Sequence, residues 1–292
     1  MNAALNYTRI FFPILLLIFF GMSCKKMESE PVSWMRIDSV QFVPTPANNL
    51  GTGKHDFKDI WVYLNDNLQG TYELPAKFPI IHEGVSDFVF IPGISMNGFS
   101  GQRPIYTVVE PLRLQLNLSL GDTIKLNPVF RYDTTAVVPF NEGFEQGSMA
   151  MTKTTYSHSD FMLVNSPSIA FEGNGCGYME LSAGENSYAE AMSIDAYTLP
   201  KNGTPVYFEM HYKCNTPFIF RLKGLSSDGF GYDFDIGGIN SSDMKWKKIY
   251  FAITPDIVKF ALGNKFHIML KIPRMTDIPS QELYVDNLKL IY

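Results

Sequence analysis

The sequence predicts an all-β protein built of two β-sandwich domains behind an export signal, and three observations predict it. Past Ser33 apolar and polar residues alternate in short runs, the period of a half-buried strand, and the helical period is nearly absent. Gly, Asn, Asp and Pro punctuate those runs at short intervals, as turns require. An apolar run, Ile10 to Phe20, stands ahead of them after a single charge, Arg9.

That run is eleven residues long. At ~1.5 Å per residue it covers about 16 Å, half a bilayer's hydrocarbon, so it reads as a signal peptide and not as a mature span. It ends Gly21-Met22-Ser23-Cys24. Small residues immediately before a Cys resemble the bacterial lipobox, with Gly21 where Leu is usual. The resemblance implies that residues 1–23 are removed and that Cys24 carries the lipid, palmitate included, holding the chain on a membrane. Lys25 after the Cys implies outer-membrane sorting. The tether 24–32 (Lys25-Lys26-Met27-Glu28-Ser29-Glu30-Pro31) is similar to the surface-export tag of Bacteroidota lipoproteins, which places the protein at the cell surface or on the periplasmic face.

Composition bounds the rest. Of 292 residues 46% are hydrophobic and 18% charged, so the chain can bury cores and is not disordered. Lys and Arg total 24 against 29 Asp and Glu, a net charge of −5 with no block of like charges, which excludes a nucleic-acid partner. Three Cys are too few for a disulfide scaffold and wrongly spaced for zinc.

Strands are expected at Ile60–Leu64, Val89–Ile91 and Leu112–Leu118, separated by turns at Asn65-Asp66-Asn67, Glu83-Gly84, Pro92-Gly93 and Leu120-Gly121-Asp122. One short helix is expected, capped by Thr254, with Pro255 at its first position and Gly263 as its stop. A seam falls where Arg131-Tyr132 gives way to Asp133-Thr134-Thr135 and Pro139. The domains are therefore read as 33–132 and 140–292, joined by a linker at 133–139.

The stretch Val62–Pro75, with Asp66 in its turn and Glu83-Gly84 beyond, resembles PEGA-type and carboxypeptidase-regulatory-like surface modules, which are non-catalytic sandwiches. In the second domain Phe144-Glu145-Gln146-Gly147 opens and Leu283-Tyr284-Val285-Asp286-Asn287-Leu288 closes, with Trp246–Phe251 between. These resemble the jelly rolls of carbohydrate-binding modules and galactose-binding-like domains. The resemblance implies a jelly roll, and a structural Ca²⁺ held by Glu145 and Asp286 at strand ends, although Asn287 replaces a second acid; no other cofactor is implied.

From Val206 to Cys214 alternation aims Val206, Phe208, Met210, Tyr212 and Cys214 one way and Tyr207, Glu209, His211 and Lys213 the other. If the next two strands complete a meander, Arg221, Asp233 and Asp235 share that outer face, while Phe230, Tyr232, Phe234 and Ile236 are buried. Such a face is an ion-pair ladder or a ligand surface of Tyr207, Glu209, His211, Arg221, Asp233 and Asp235. The carboxylates of Asp233 and Asp235, near 7 Å apart at ~3.3 Å per residue, would suit glycosidic acid–base work, but a flat face excludes no water. Cys176 and Cys214 form either a disulfide or two buried thiols. Trp34, Trp61 and Trp246 are expected in cores. The triplets at Asp38-Ser39-Val40, Asp122-Thr123-Ile124 and Asp133-Thr134-Thr135 resemble the O-glycosylation sequon of exported Bacteroidota proteins, with Ser39, Thr123 and Thr134 as acceptors. The sequence is read first as a non-catalytic surface binding or adhesion module, for glycan or for envelope proteins, and not as an enzyme. The alternative is a structural or assembly accessory of a secretion, motility or polysaccharide-uptake machine, and a glycan-processing enzyme comes third.

Overall fold

A computed structural model of the chain describes residues 32–44, 51–182 and 188–292. Cys24, the segment 1–23 and the tether up to Pro31 lie outside the described residues. The protein is all-β, as its alternation requires. In the first half β3 (Asp59–Leu64), β4 (Asn67–Glu73), β6 (Gly84–Gly93) and β7 (Leu112–Leu118) form an antiparallel sheet in the order β4-β3-β6-β7. The turn joining β3 to β4 carries Asn65 and Asp66 at φ 47° and 64°, the left-handed pair of a tight hairpin. Beside this sheet β1 (Ser33–Ile37) lies between β5 (Ala76–Ile80) and β8 (Thr123–Lys125), and β2 (Gln41–Phe42) pairs with β9 (Val129–Phe130). Met35, Ile60, Phe78, Phe88, Phe90 and Phe130 fill one core between them.

The second half is a sandwich of two six-stranded sheets. One runs β12 (Phe161–Asn165), β13 (Gly175–Leu181), β21 (Gln281–Ile291), β16 (Tyr207–Cys214), β19 (Lys247–Ala252), with β10 (Phe140–Glu142) on β21. The other runs β11 (Met151–Lys153), β14 (Tyr188–Ser193), β20 (Lys265–Pro273), β17 (Phe218–Leu225), β18 (Gly231–Ile239), with β15 (Tyr197–Thr198) on β20. The chain passes repeatedly from one sheet to the other, in the manner of a jelly roll. Phe208, Met210, Phe220, Leu222, Leu270 and Val285 interleave as its core.

Several expectations are corrected. The helix, α1 (Thr254–Lys259), starts one residue early: Ile253 is its cap, and the Thr254 hydroxyl instead accepts the Val206 N–H at 2.8 Å. It ends at Phe260, short of Gly263. The loop Asn215-Thr216-Pro217 makes no hairpin. It carries the chain across the sandwich, so β16 lies in one sheet while β17 and β18 lie in the other. β18 is the outermost strand and outruns the core, which leaves Phe230 66% and Tyr232 47% exposed and Phe234 and Ile236 half-buried.

Cys176 and Cys214 are separate buried thiols, so the disulfide alternative is overturned. β21 stands between their strands and Cys214 lies three residues further along, which puts them more than about 10 Å apart at ~4.8 Å per strand, beyond the reach of a bridge. They also face opposite ways: Cys214 points into the sandwich core with Met210, and Cys176 points away from it.

Tyr207, Tyr250 and Ile291, on the outer face of the β16 sheet, belong to the core of the first half. The two halves are thus packed directly on each other. Asn97 N–H donates to the Tyr250 carbonyl at 2.8 Å, the Tyr250 hydroxyl accepts the Asp56 N–H at 2.9 Å, and Val137 and Tyr292 exchange both backbone bonds.

Candidate ligand-binding cleft

β16 meets the first half with three side chains that alternation aims away from its own core. Tyr207, Glu209 and His211 are all buried, so the expectation that they form an open ligand face is overturned. The facing direction was right; the first half covers them. The Tyr207 ring meets Tyr106 edge-on at 4.9 Å, and its hydroxyl lies 3.1 Å from that of Thr107.

Glu209 is the hub of a buried polar cluster. One carboxylate oxygen accepts the hydroxyls of Tyr106 at 2.7 Å and Tyr132 at 2.8 Å; the other accepts the Lys248 ammonium at 2.5 Å. Lys289 donates to the Tyr132 hydroxyl at 2.8 Å. Burial works to raise the Glu209 pKa, but the charges of Lys248 and Lys289 and the bonds from Lys248 and Tyr106 hold it well below the usual carboxylate range. Lys289 is pushed down to about 8 by burial, with Glu209 pulling the other way. Three buried ionised groups and two hydroxyls therefore join the halves.

Beside this cluster a cleft of ≈ 760 Å³ opens between the halves. Its second-half wall is β16, the entry to β19, Phe171, and the end of β18 with Asn240 just beyond it. Phe171 stacks on His211 at 3.8 Å and meets Trp246 edge-on at 5.7 Å. The Trp246 indole N–H donates to the Ile169 carbonyl at 3.2 Å, which sets the ring's angle. The opposite wall comes from the first half, with His55, Asp56, Asn97 and Phe99. Burial, then the charges of Lys248, Lys289 and Lys54, push His211 down to about 2 against the opposing pull of Glu209. It is therefore a neutral imidazole, and its Nδ1 is buried without a hydrogen-bond partner among the described residues. Trp34, Trp61 and Trp246, all expected in cores, are all half-buried instead, Trp246 at the cleft. Sequence reading missed this site because its walls lie some 150 residues apart. The available signal was local: Lys245-Trp246-Lys247-Lys248 sets a Trp among lysines in an acidic chain.

Arg221, Asp233 and Asp235 lie on the other sheet and do not join Glu209 and His211. Arg221 contacts Asp235 at 2.5 Å and buried Glu190 at 2.7 Å, with Asp233 at 3.8 Å. That sheet carries the ion-pair ladder. Ser39, Thr123 and Thr134 are all exposed.

Glu145 and Asp286 do not fit a cation. Glu145 accepts the N–H groups of Asn174 and Gly175 and the Asn174 side-chain amide, at 2.7–3.0 Å. Asp286 is wholly buried and accepts those of Phe171, Glu172 and Asn287 at 2.7–3.2 Å. Burial pushes it up to about 7 although those bonds pull it down. Hydrogen-bond donors, where Ca²⁺ needs carbonyl and carboxylate oxygens, surround both carboxylates. Among the described residues no cluster of three His, Cys, Asp or Glu side chains is placed to hold a metal.

No protein-family model and no curated protein matches the chain. Solved structures do resemble it. A xylan-binding CBM22-1 domain of Paenibacillus barcinonensis Xyn10C aligns at 15% identity over 54% of this chain and 96% of that one, with a TM-score of 0.39. A family 30 carbohydrate-binding module aligns at 10% identity over 54% and 88%, TM-score 0.39. A carbohydrate-binding module of the β-sandwich superfamily, described for promiscuous specificity, spans 80% of this chain and 85% of that one at 11% identity, TM-score 0.39. At these values the chemistry of the cleft is read from its own residues alone.

Proposed function

We propose that this chain is a lipid-anchored envelope protein of the outer membrane that binds glycan, without chemistry, in the cleft between its two halves. The observation that carries this reading is the cleft itself. It has the ordinary size of a small-ligand site, and it pairs ring faces with convergent polar groups. Trp246, Phe171 and Phe99 supply apolar surfaces of the kind that stack on sugar rings; Asn97 and Asn240 supply amides for hydroxyls. The buried carboxylate and imidazole beside the cleft are set against acid–base work. Glu209 is held ionised against two lysines, and His211 is held neutral by burial, so neither shuttles a proton near neutral pH. Asp233 and Asp235, the carboxylates suited by spacing, are bound to Arg221 on an open face of the other sheet.

Trp246→Ala should lower retention on an immobilised glycan roughly tenfold, about 1.4 kcal/mol, and Trp246→Phe should restore most of it. Unchanged retention in the Ala variant, or no glycan retained by the wild type across a broad array, overturns the reading and favours an assembly role.

The anchor is read from Cys24 behind its small residues. Labelled palmitate should enter the wild type and not Cys24→Ser, and the variant should leave the membrane fraction. A wild type that takes up no label is a secreted protein without an anchor.

A further inference from the structure

We infer that the glycan taken by this cleft is an acidic polysaccharide, one bearing carboxylates or sulfates along its chain; the inference rests on the cleft being a glycan site. The whole protein is acidic, yet the cleft is not. Three lysines line it, Lys58, Lys247 and Lys248, against one acid, Asp56. Asp56 is already taken by Lys58 at 2.6 Å, and Lys248 by Glu209. Lys247 forms no ion pair among the described residues, and neither do Lys54 and Lys213 at the margins. Lys213 holds its ammonium 5.1 Å over the Trp246 ring and 4.4 Å over Tyr284. Lys54 passes its carbonyl to Lys248 at 3.1 Å and leaves its exposed side chain at the rim.

Three lysines without an acidic partner among the described residues therefore stand in or beside one cleft: Lys213 over the Trp246 ring, its ammonium also donating to the Ile169 carbonyl at 3.3 Å, Lys247 on the adjacent strand, and Lys54 on the first half. His211 reports the same positive field from inside, since Lys248, Lys289 and Lys54 all add to the burial that keeps it unprotonated. An aromatic face beside unpaired lysines is matched by a sugar ring whose substituents carry negative charge. A neutral glycan would use the ring and leave the charges unanswered. A polyanion without sugar rings would use the charges and leave Trp246 unanswered.

The test uses the mature protein and polygalacturonate beside its fully methyl-esterified form, the same backbone with its charge removed. Dextran sulfate beside dextran gives the sulfate arm, and polyglutamate gives charge without sugar. The expected result is at least tenfold tighter binding to one acidic polymer than to its neutral counterpart. That preference should weaken as salt rises from ~0.05 to ~0.5 M, because exposed charges are screened. Whichever arm binds tells carboxylate from sulfate. Lys213→Gln with Lys247→Gln should abolish the preference and lower the melting temperature only slightly, by the loss of the Lys213 contacts with two rings. Equal binding of the esterified and free polymers, without salt dependence, overturns the acidic assignment and leaves the glycan reading standing. Polyglutamate bound as tightly as polygalacturonate shows that charge alone is read and overturns the assignment too. If none of the polysaccharides binds, the glycan reading falls and the inference with it.

Discussion

Glu209→Ala should remove about 3–5 kcal/mol of stability, the usual cost of breaking a buried ion pair from one side. The carboxylate answers four groups at once: Lys248 directly, the hydroxyls of Tyr106 and Tyr132, and Lys289 through Tyr132. Truncation leaves two ammonium groups in the interior, and each must shed its proton or draw in water. Glu209→Gln keeps an acceptor for the hydroxyls and drops the charge, so it should fall between wild type and Ala. The pH profile gives an independent mark. Lys289 titrates in the fold at about 8, below the 10.5 of a free lysine. The folded state thus binds fewer protons than the unfolded one between those values, and stability rises with pH across that window. Glu209 is one of the forces holding that pKa up, so in the Ala variant the rise should begin at lower pH. Urea unfolding at several pH values measures both effects. A loss below ~1 kcal/mol would mean that the halves are not held together through this cluster.

The same cluster shows how far the sequence could be read. β7 was legible to the residue because Leu112 to Leu118 alternates without interruption and Gly121 closes it in a left-handed turn. The hairpin after β3 was legible because Asn65 and Asp66 tolerate positive φ at low cost. β16 was legible as a strand, and even its two faces were assigned correctly. Alternation states which side chains share a face and is silent on what covers that face. Nothing in Tyr207-Glu209-His211 says that another sandwich lies on top of it. The short loop after Cys214 misled for a similar reason: three residues suffice for a hairpin and equally for crossing a sandwich. The cleft was illegible because Asn97 and Trp246 become neighbours only when two separately patterned halves dock. Asp286 was read as a calcium ligand from its place in the chain's closing motif, and it holds backbone N–H groups instead. The donors that surround it, from residues 171, 172 and 287, were not visible in that motif.

Substitutions at Tyr207, Arg221 and Asp233 should separate into three levels, where sequence reading alone expects three small surface effects. Tyr207→Ala should cost about 3–5 kcal/mol, as aromatic truncations in cores do, because the ring is 5% exposed and packs against Tyr106 beneath the first half. Arg221→Ala should cost about 1.5–3 kcal/mol, the range for a hydrogen bond to a charged group. It strands Glu190, which is 4% exposed and, among the described residues, keeps only the Thr154 hydroxyl at 3.0 Å as its side-chain donor. Asp233→Ala should stay within about 0.5 kcal/mol, since its nearest cations stand at 3.8 and 3.9 Å on an open face. Urea midpoints at constant m-value give all three numbers in one series. Three values below ~1 kcal/mol would show that Tyr207 faces water and that the two halves do not dock as described. A loss at Asp233 matching that at Tyr207 would instead place β18 one residue out of register, turning its acids inward and its aromatics to solvent.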